Sequence, residues 1–513
     1  MKKTTLFLLS TIFIFAYVLR VWYLPQKSLT FGYDQARDAL QAQNIITGDF
    51  KIQGPPASTP GMHHGVFWFY YLVPPNLISG GNPVASAYWN AIFNSAVVFI
   101  VYIFAANITK NEKAGILAAF LYAISFEATQ YSSWLSNPTI GIWTAPLCYL
   151  GLWLWITHNI KNKYYLAYPV MTAIGLGLSI QANIFLLYHI VPLFIWLNFA
   201  RKKISVKSMV YFLIPLTLTL SSFIVSEAKF GFKSFSGVLS ILTSQDSIIA
   251  SKKLGDFIIL FFNQLGNVYA YNSYPGNIGY GGVFILMLIV ISIYTWKKSK
   301  NTSISWEPFL AIWLMAHLTV VTVGGTATPF LLVGIGPAVA IIMAVCLYMW
   351  YSEGKKIFVC IIVAIVVFGN LNMIKKENPK GQTIFSIQKE MTLAKQISAL
   401  DYMYAESEGK QFSVNSLTSP LWINIVWSYL FEWYGDAQYG YVPFWHGKGQ
   451  EGQLTALPSV DENVDKYFLI IEPMGGIPMR YLDETLAEEN SKSRLVDEKY
   501  WGELRVQERE KIK

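Results

Sequence analysis

A helix needs about 20 mainly apolar residues to cross a bilayer, and runs of that kind recur in this sequence up to residue 374. They fall at about 5–24, 85–106, 114–131, 138–157, 165–181, 184–200, 209–227, 278–296, 306–323, 329–350 and 357–374, about eleven spans. The apolar stretch 165–200 is too long for one crossing, and the polar step Gln181-Ala182-Asn183 is where it turns. The segment 256–271 is short and interrupted by Asn263, Gln264 and Asn267, which reads as an interfacial or re-entrant piece. Charged residues make up 14% of the chain and hydrophobic ones 53%, where a soluble protein carries about a quarter charged. The expected fold class is mainly α, a polytopic membrane protein of about eleven transmembrane helices.

Charge divides the chain. Residues 375–513 carry 16 Lys/Arg and 21 Asp/Glu, a net of −5, which leaves +13 on residues 1–374. The basic excess flanks apolar spans, so nucleic acid is not the partner it implies. Lys2 and Lys3, Lys110 and Lys113, Lys161 and Lys163, the group Arg201, Lys202, Lys203 and Lys207, then Lys297, Lys298 and Lys300, and Lys355 and Lys356 fill alternate loops. Short basic loops stay cytoplasmic. In the cell membrane the N-terminus is therefore expected on the cytoplasmic side and residues 375–513 on the extracytoplasmic side, with Lys375 and Lys376 a mild exception. The first span begins with basic residues but lacks a small-residue cleavage site and contains Arg20, so it reads as an anchor. Cys148, Cys346 and Cys360 lie in apolar stretches with no metal or disulfide spacing.

Two long loops, about 25–84 and about 228–277, fall on the outer side. Loops of that length are functional or disordered, and the first is too rich in Trp, Tyr, Phe and Leu for disorder. Residues 34–47 read as a helix stopped by Gly48, and 64–73 as an aromatic helix ended by Pro74-Pro75. Both are too short to span and are expected to lie in the interface plane.

Acidic residues on or near that face are the natural place to look for chemistry, because a carboxylate beside a membrane is costly unless paired, solvated or used. Asp34, Asp38, Asp49, Glu127, Glu227, Asp246 and Asp256 are the candidates by side. Asp34 begins a helix about ten residues past the first span, one turn before Arg37. The positive helix end favours its ionised form. A capping aspartate beside an arginine would account for the same residues. Asp38 reads as a solvated residue or the partner of Arg37. His63 and His64 point different ways on a helix, which disfavours a metal site, while His64 could touch an anion or simply sit at the interface. Gln181 and Asn183 cap a turn or contact substrate. Glu127 and Glu227 line a cavity or pair with a base such as Lys229, and Trp134 reads as aromatic belt. The sequence has no GxxxxGK[ST] or HExxH, and no Asp-x-Asp pair for a divalent ion and a nucleotide sugar.

The run Tyr33-Asp34-Gln35-Ala36-Arg37-Asp38, followed by Gly54-Pro55-Pro56, Gly61, His64-Gly65 and Tyr70-Tyr71, resembles the C-type (GT-C) glycosyltransferases. Within them it is similar to the protein mannosyltransferase, aminoarabinose transferase and galacturonosyltransferase-like group. The likeness covers about residues 1–230 by motif and the rest by layout. That group commonly shows Asp-Glu where this chain has Asp34-Gln35, which leaves the aspartate in place and the second acid without a counterpart. The resemblance implies transfer of a sugar from a polyprenyl-phosphate donor to an extracytoplasmic hydroxyl of an envelope lipid, glycan or protein, with inversion. It implies Asp34 as general base. By side of the membrane, Arg37, His64 and Lys229 are candidates to hold phosphate, with Tyr33, Gln181 and Asn183 as further substrate contacts. Asp38, Glu127 and Glu227 are the reserve acids. No cofactor and no divalent metal are expected. A transporter or flippase of lipid-linked sugars is the alternative, but it should carry its polar residues near mid-membrane at paired broken helices. A scaffold that merely displays residues 375–513 would not need the polar first loop.

Residues 375–513 are expected to form a small α/β or α+β domain, with a helix at 386–408 and strands at 411–415, 466–472 and 498–508. The stretch 421–445 carries Trp422, Trp427, Tyr429, Trp433, Tyr434, Tyr439, Tyr441 and Trp445. It reads as a packed core that meets the membrane face, or as a surface on which a sugar stacks.

Overall fold

The computed structural model describes residues 2–57, 61–233, 236–237, 254–275, 304–319, 329–386, 388, 390–450, 454–459 and 464–512. The expected span 278–296, the end of 306–323 and most of the second long loop lie outside these residues. The described helices are α1 (Lys3–Val21), α2 (Tyr33–Ile46), α3 (Phe67–Ser79), α4 (Pro83–Thr109), α5 (Glu112–Ala123), α6 (Phe126–Ser133), α7 (Gly141–Thr157), α8 (Ala167–Ala182), α9 (Ile190–Phe199), α10 (Val206–Thr219) and α11 (Ser221–Phe230). They continue with α12 (Leu254–Ser273), α13 (Trp306–Met315), α14 (Gly336–Ser352) and α15 (Lys356–Glu377). Among the described residues, four segments are long and apolar enough to cross a membrane: Lys3–Gln26, Pro83–Thr109, Asn137–Thr157 and Lys356–Lys380. The pair α10 and α11, bent by 51°, makes a fifth if counted as one span. Ala167–Ala182, Ile184–Phe199 and Gly336–Ser352 are shorter apolar helices at three further expected positions.

Three expectations are corrected. The run 114–131 is two helices, because Ser125 leaves α5 and caps α6 through its hydroxyl on the Ala128 amide. All eight residues of α6 are buried although the helix is polar. Buried polar groups must be bonded, and asparagines from other helices do this. Asn90 donates to Tyr131 O and Ser132 O, Asn94 donates to Ala128 O, and Asn370 accepts from the Phe126 amide. Arg20, fully buried, donates to Tyr122 O and Ala123 O and so satisfies the carbonyl end of α5. Next, the segment 256–271 is not short, since it is part of a 20-residue helix, α12. Its Phe261, Leu265 and Val268 enter the main core. Finally, α3 runs through Pro74 and Pro75 and ends where Gly80 turns left-handed. Asn76 donates to Leu72 O, and Ser79 donates to Pro75 O.

The C-terminal domain is built on α16 (Leu393–Glu406) and a mixed five-stranded sheet. Its strands are β1 (Ser413–Leu417), β2 (Phe444–Trp445), β3 (Lys466–Ile471), β4 (Ser493–Trp501) and β5 (Leu504–Lys511), in the order β2-β1-β3-β5-β4. β1 pairs in parallel with β2 and β3, while β5 pairs antiparallel with β3 and β4. The domain does not hang free. Residues of the first loop and of the domain form one hydrophobic core, with Leu29, Phe31 and Leu40 against Leu393, Trp427 and Phe468. The Phe31 amide donates to Met391 O at 3.1 Å and the Leu393 amide to Leu29 O at 2.9 Å. Tyr429 donates its hydroxyl to Gly81 O. Within 421–445, Trp427, Tyr429 and Trp445 are buried, as a packed core requires.

Candidate active site

The start of α2 places the first candidate. Gly32 precedes the helix in an extended conformation, and Gln35 closes the end by accepting the Gly32 amide at 2.9 Å. The other half of the Gln35 amide donates to Leu135 O at 3.1 Å. A glutamate could not make that second bond, so the residue that departs from the Asp-Glu pattern has a structural task here. The helix ends at Ile46, and Gly48 takes φ +101° just beyond it.

Asp34 lies in the first turn with its side chain 49% exposed. Arg37 donates Nη1 to Asp34 Oδ1 at 2.8 Å. Its Nε and Nη2 go to Asp38 Oδ1 at 2.8 and 2.7 Å. Asp38 is 1% exposed, and its Oδ2 accepts the Trp68 indole N–H at 2.8 Å. The expectation of a solvated Asp38 is therefore corrected, while its pairing with Arg37 is observed. Burial pushes the Asp38 carboxyl up to about 6, although Arg37 pulls it down. Against the cost of burial, Asp38 and then Asp34 hold the guanidinium above its ordinary range. Arg37 thus spends Nε, Nη1 and Nη2 on two carboxylates, and its Cζ sits 5.4 Å from the centre of the Tyr33 ring. Asp34 Oδ2 has no hydrogen bond among the described residues. It is the oxygen left to take a proton.

That carboxylate lines a cavity of about 250 Å³. One wall is Thr30, Gly32, Tyr33 and Gln35, and Trp134 and Ser136 lie beside it. The opposite wall comes from the C-terminal part of the chain, with Phe385, Ser386, Gln388, Met391, Ser419 and Pro420. Trp134 is no belt residue: it is buried, with its ring 4.9 Å from Phe385 and 5.8 Å from Phe330.

No protein-family model matches the chain, and no curated protein matches it. Among solved structures it is similar to ArnT from Cupriavidus metallidurans bound to undecaprenyl phosphate, at 12% identity over 97% of both chains and a TM-score of 0.58. It is also similar to the Archaeoglobus fulgidus oligosaccharyltransferase in complex with Zn and sulfate, at 14% identity over 90% of this chain and 67% of that one, with a TM-score of 0.52. The chain has a GT-C fold.

Within this GT-C fold the remaining candidates separate into groups. His64 and Gln181 meet where the first loop crosses the end of α8. His64 pairs with Gly54 and Pro55 across a short backbone ladder, and its Nδ1 accepts the Ile184 amide at 3.2 Å. Burial, then Arg37 and His63, push the imidazole down to about 3. It is neutral at physiological pH, with its proton on Nε2. Gln181 donates to Thr219 O and Ser222 Oγ, both at 2.7 Å, and so ties α8 to the bend between α10 and α11. Asn183 caps the next turn through the Phe185 amide. Lys229 is exposed near the end of α11, 5.6 Å above Phe230, and Glu227 on the same helix acts electrostatically on His63. Glu127 stands apart on α6, where it accepts from Asn272 at 2.7 Å and borders a separate cavity of about 40 Å³. Phe385 lines both cavities.

Gly54 and Gly65 of the first loop are close-approach residues. A Cβ on Gly65 would lie 2.0 Å from Gln181 Oε1 and 2.7 Å from its Cα. Overpacking of this kind costs about 1–3 kcal/mol. Gly65→Ala is expected to lower the thermal unfolding midpoint, and an unchanged midpoint would contradict this packing.

Among the described residues, no group of three or more His, Cys, Asp or Glu is arranged to hold a metal ion. The cavity residues Gln388, Ser419, Ser386 and Phe385 are not marked as site residues by the sequence. Single polar or aromatic residues in loops carry no periodic signal.

Proposed function

We propose that the chain is a membrane glycosyltransferase that moves a sugar from a polyprenyl-phosphate donor to an extracytoplasmic hydroxyl acceptor. The observation that carries this reading is the free Oδ2 of Asp34, held at a cavity mouth by Arg37 in a GT-C fold. The acceptor O–H gives its proton to Asp34 Oδ2. Its oxygen bonds the anomeric carbon from the side opposite the phosphate, and the anomeric C–O bond breaks with its electron pair leaving on the phosphate. A phosphate monoester needs little acid help, so the demand falls on the base, worth about 100- to 10,000-fold. The neutral His64 Nε2–H and the exposed Lys229 are the groups proposed to meet the phosphate. The ArnT relative bound to undecaprenyl phosphate supports a donor of that class.

Topology supports the same reading. The first loop and the C-terminal domain build one cavity, so both belong on one side of the membrane, and an even number of crossings must separate them. Ten crossings after the first anchor, eleven in all, meet that requirement with the N-terminus cytoplasmic and the domain outside.

The test uses vesicles supplied with labelled polyprenyl-phosphate sugars and an envelope extract. Label should move to the acceptor fraction. Lipid-linked sugar that crosses the bilayer without transfer would sink the proposal in favour of a transporter. Because Arg37 balances Asp34, a chelator such as EDTA is expected to leave transfer unchanged. Loss of transfer restored by added cation would refute that expectation.

A further inference from the structure

Behind the C-terminal wall of the Asp34 cavity stands a buried carboxylate that the proposed chemistry does not use. Glu472 follows β3 and is 2% exposed. Its Oε2 accepts the Gln388 side-chain amide at 2.9 Å and the Ser419 backbone amide at 2.9 Å. Its Oε1 accepts the Trp427 indole at 3.0 Å. Gln388 and Ser419 are themselves cavity residues. One carboxylate therefore fixes two separate loops that face Asp34.

Because Glu472 consumes the Gln388 N–H, the other end of that amide, Oε1, points back towards Gly32 at the start of α2. Oε1 has no hydrogen bond among the described residues. The cavity thus offers acceptors, Asp34 Oδ2 and Gln388 Oε1, beside the apolar faces of Trp134, Phe385 and Met391. A ligand that fits is rich in O–H donors and carries an apolar C–H face. Those are the features of a sugar ring, which stacks on aromatic surfaces while its hydroxyls point sideways.

We infer that the acceptor is a saccharide hydroxyl, that Gln388 Oε1 receives a second hydroxyl of the same acceptor, and that Glu472 is the positioning residue that holds this wall in place. The inference rests on the proposed transferase reading and names its acceptor class. The groups that face Glu472 are the Gln388 amide, the Ser419 N–H and the Trp427 indole, and no charged side chain is among them. All three are donors. Protonation removes the negative charge that these three donors favour and weakens their hold on the carboxyl. Burial pushes this carboxyl up to about 7, against the three donors that favour its charged form. The wall is ordered above that pH and loosened below it.

Two measurements test this. Saturation-transfer NMR of the protein in nanodiscs, with mono- to tetrasaccharides of glucose, galactose and mannose as probes, reads acceptor binding without any donor. Binding by wild type and about a tenfold loss in Gln388→Met are expected, the equivalent of one hydrogen bond. In the transfer assay, Gln388→Met and Glu472→Gln should raise the acceptor KM about tenfold and leave the donor KM unchanged. The wild-type acceptor KM should climb as pH falls through about 7, while Glu472→Gln stays flat. A purely structural Glu472 would lower stability without moving that profile. No saccharide binding by wild type, or an unchanged acceptor KM in Gln388→Met, would overturn the inference while transfer itself stands. Saccharide binding without any donor turnover would instead overturn the transferase reading and leave a saccharide-binding site in place of an acceptor site.

Discussion

Asp34→Asn is expected to cut sugar transfer by at least about 100-fold through kcat, the usual range for loss of a general base. The amide keeps the size of the side chain and can still meet Arg37 at its Oδ1. It cannot take the acceptor proton. Donor KM should therefore hold within a few-fold, and the unfolding midpoint should stay close to wild type because Asp34 is half exposed and not part of the packed core. Asp34→Glu should retain part of the activity, since the base is present but displaced by one methylene. A proportionate loss in both variants would argue for a purely structural Asp34.

Arg37→Gln carries the second large effect, and it is one of stability. Asp38 is buried and its charge is balanced by Arg37. Removing one partner of a buried pair costs about 3–5 kcal/mol. The sign with pH follows from the carboxyl. The folded pKa of Asp38 already stands near 6 because of burial, and the loss of Arg37 raises it further above the unfolded value. A group with a raised carboxyl pKa is tolerated when protonated, and stability is lost as pH rises from the unfolded towards the folded value. The deficit of Arg37→Gln should be large at pH 8 and smaller at pH 5. Adding Asp38→Asn should recover most of it at pH 8, because the Trp68 indole still finds an oxygen. Equal unfolding midpoints for wild type and Arg37→Gln at pH 8 would contradict the buried pair.

What could be read from the sequence was whatever punctuation marks locally. The Asp34 helix was legible because Gly32 and Gly48 bracket it and Arg37 follows one turn on. The break after Ala182 was legible because two amide residues interrupt an apolar run, and Asn183 does cap the next turn. The break at Ser125 carries no glycine or proline, and α6 is polar yet wholly buried. Arg20 and the asparagines of α4 and α15 satisfy the backbone there, and they are distant in sequence. The Pro74-Pro75 pair does not end its helix, which continues to Ser79 before Gly80 turns left-handed. Half of the cavity was also out of reach. Gln388 and Ser419 sit in loops without a pattern, and a pairing of residues 29–31 with 391–393 leaves no trace in either segment. One signal was present for Glu472, a lone acid that closes the apolar strand Lys466–Ile471.

The most direct test compares wild type and Asp34→Asn in the same vesicles, with a panel of labelled polyprenyl-phosphate sugars, an envelope acceptor fraction and donor binding measured in parallel. Wild type should transfer label from at least one donor, while the variant binds that donor with similar affinity and transfers almost none. Equal transfer by both proteins would contradict the assignment of Asp34 as the base and would move the search to Glu127 and Glu227.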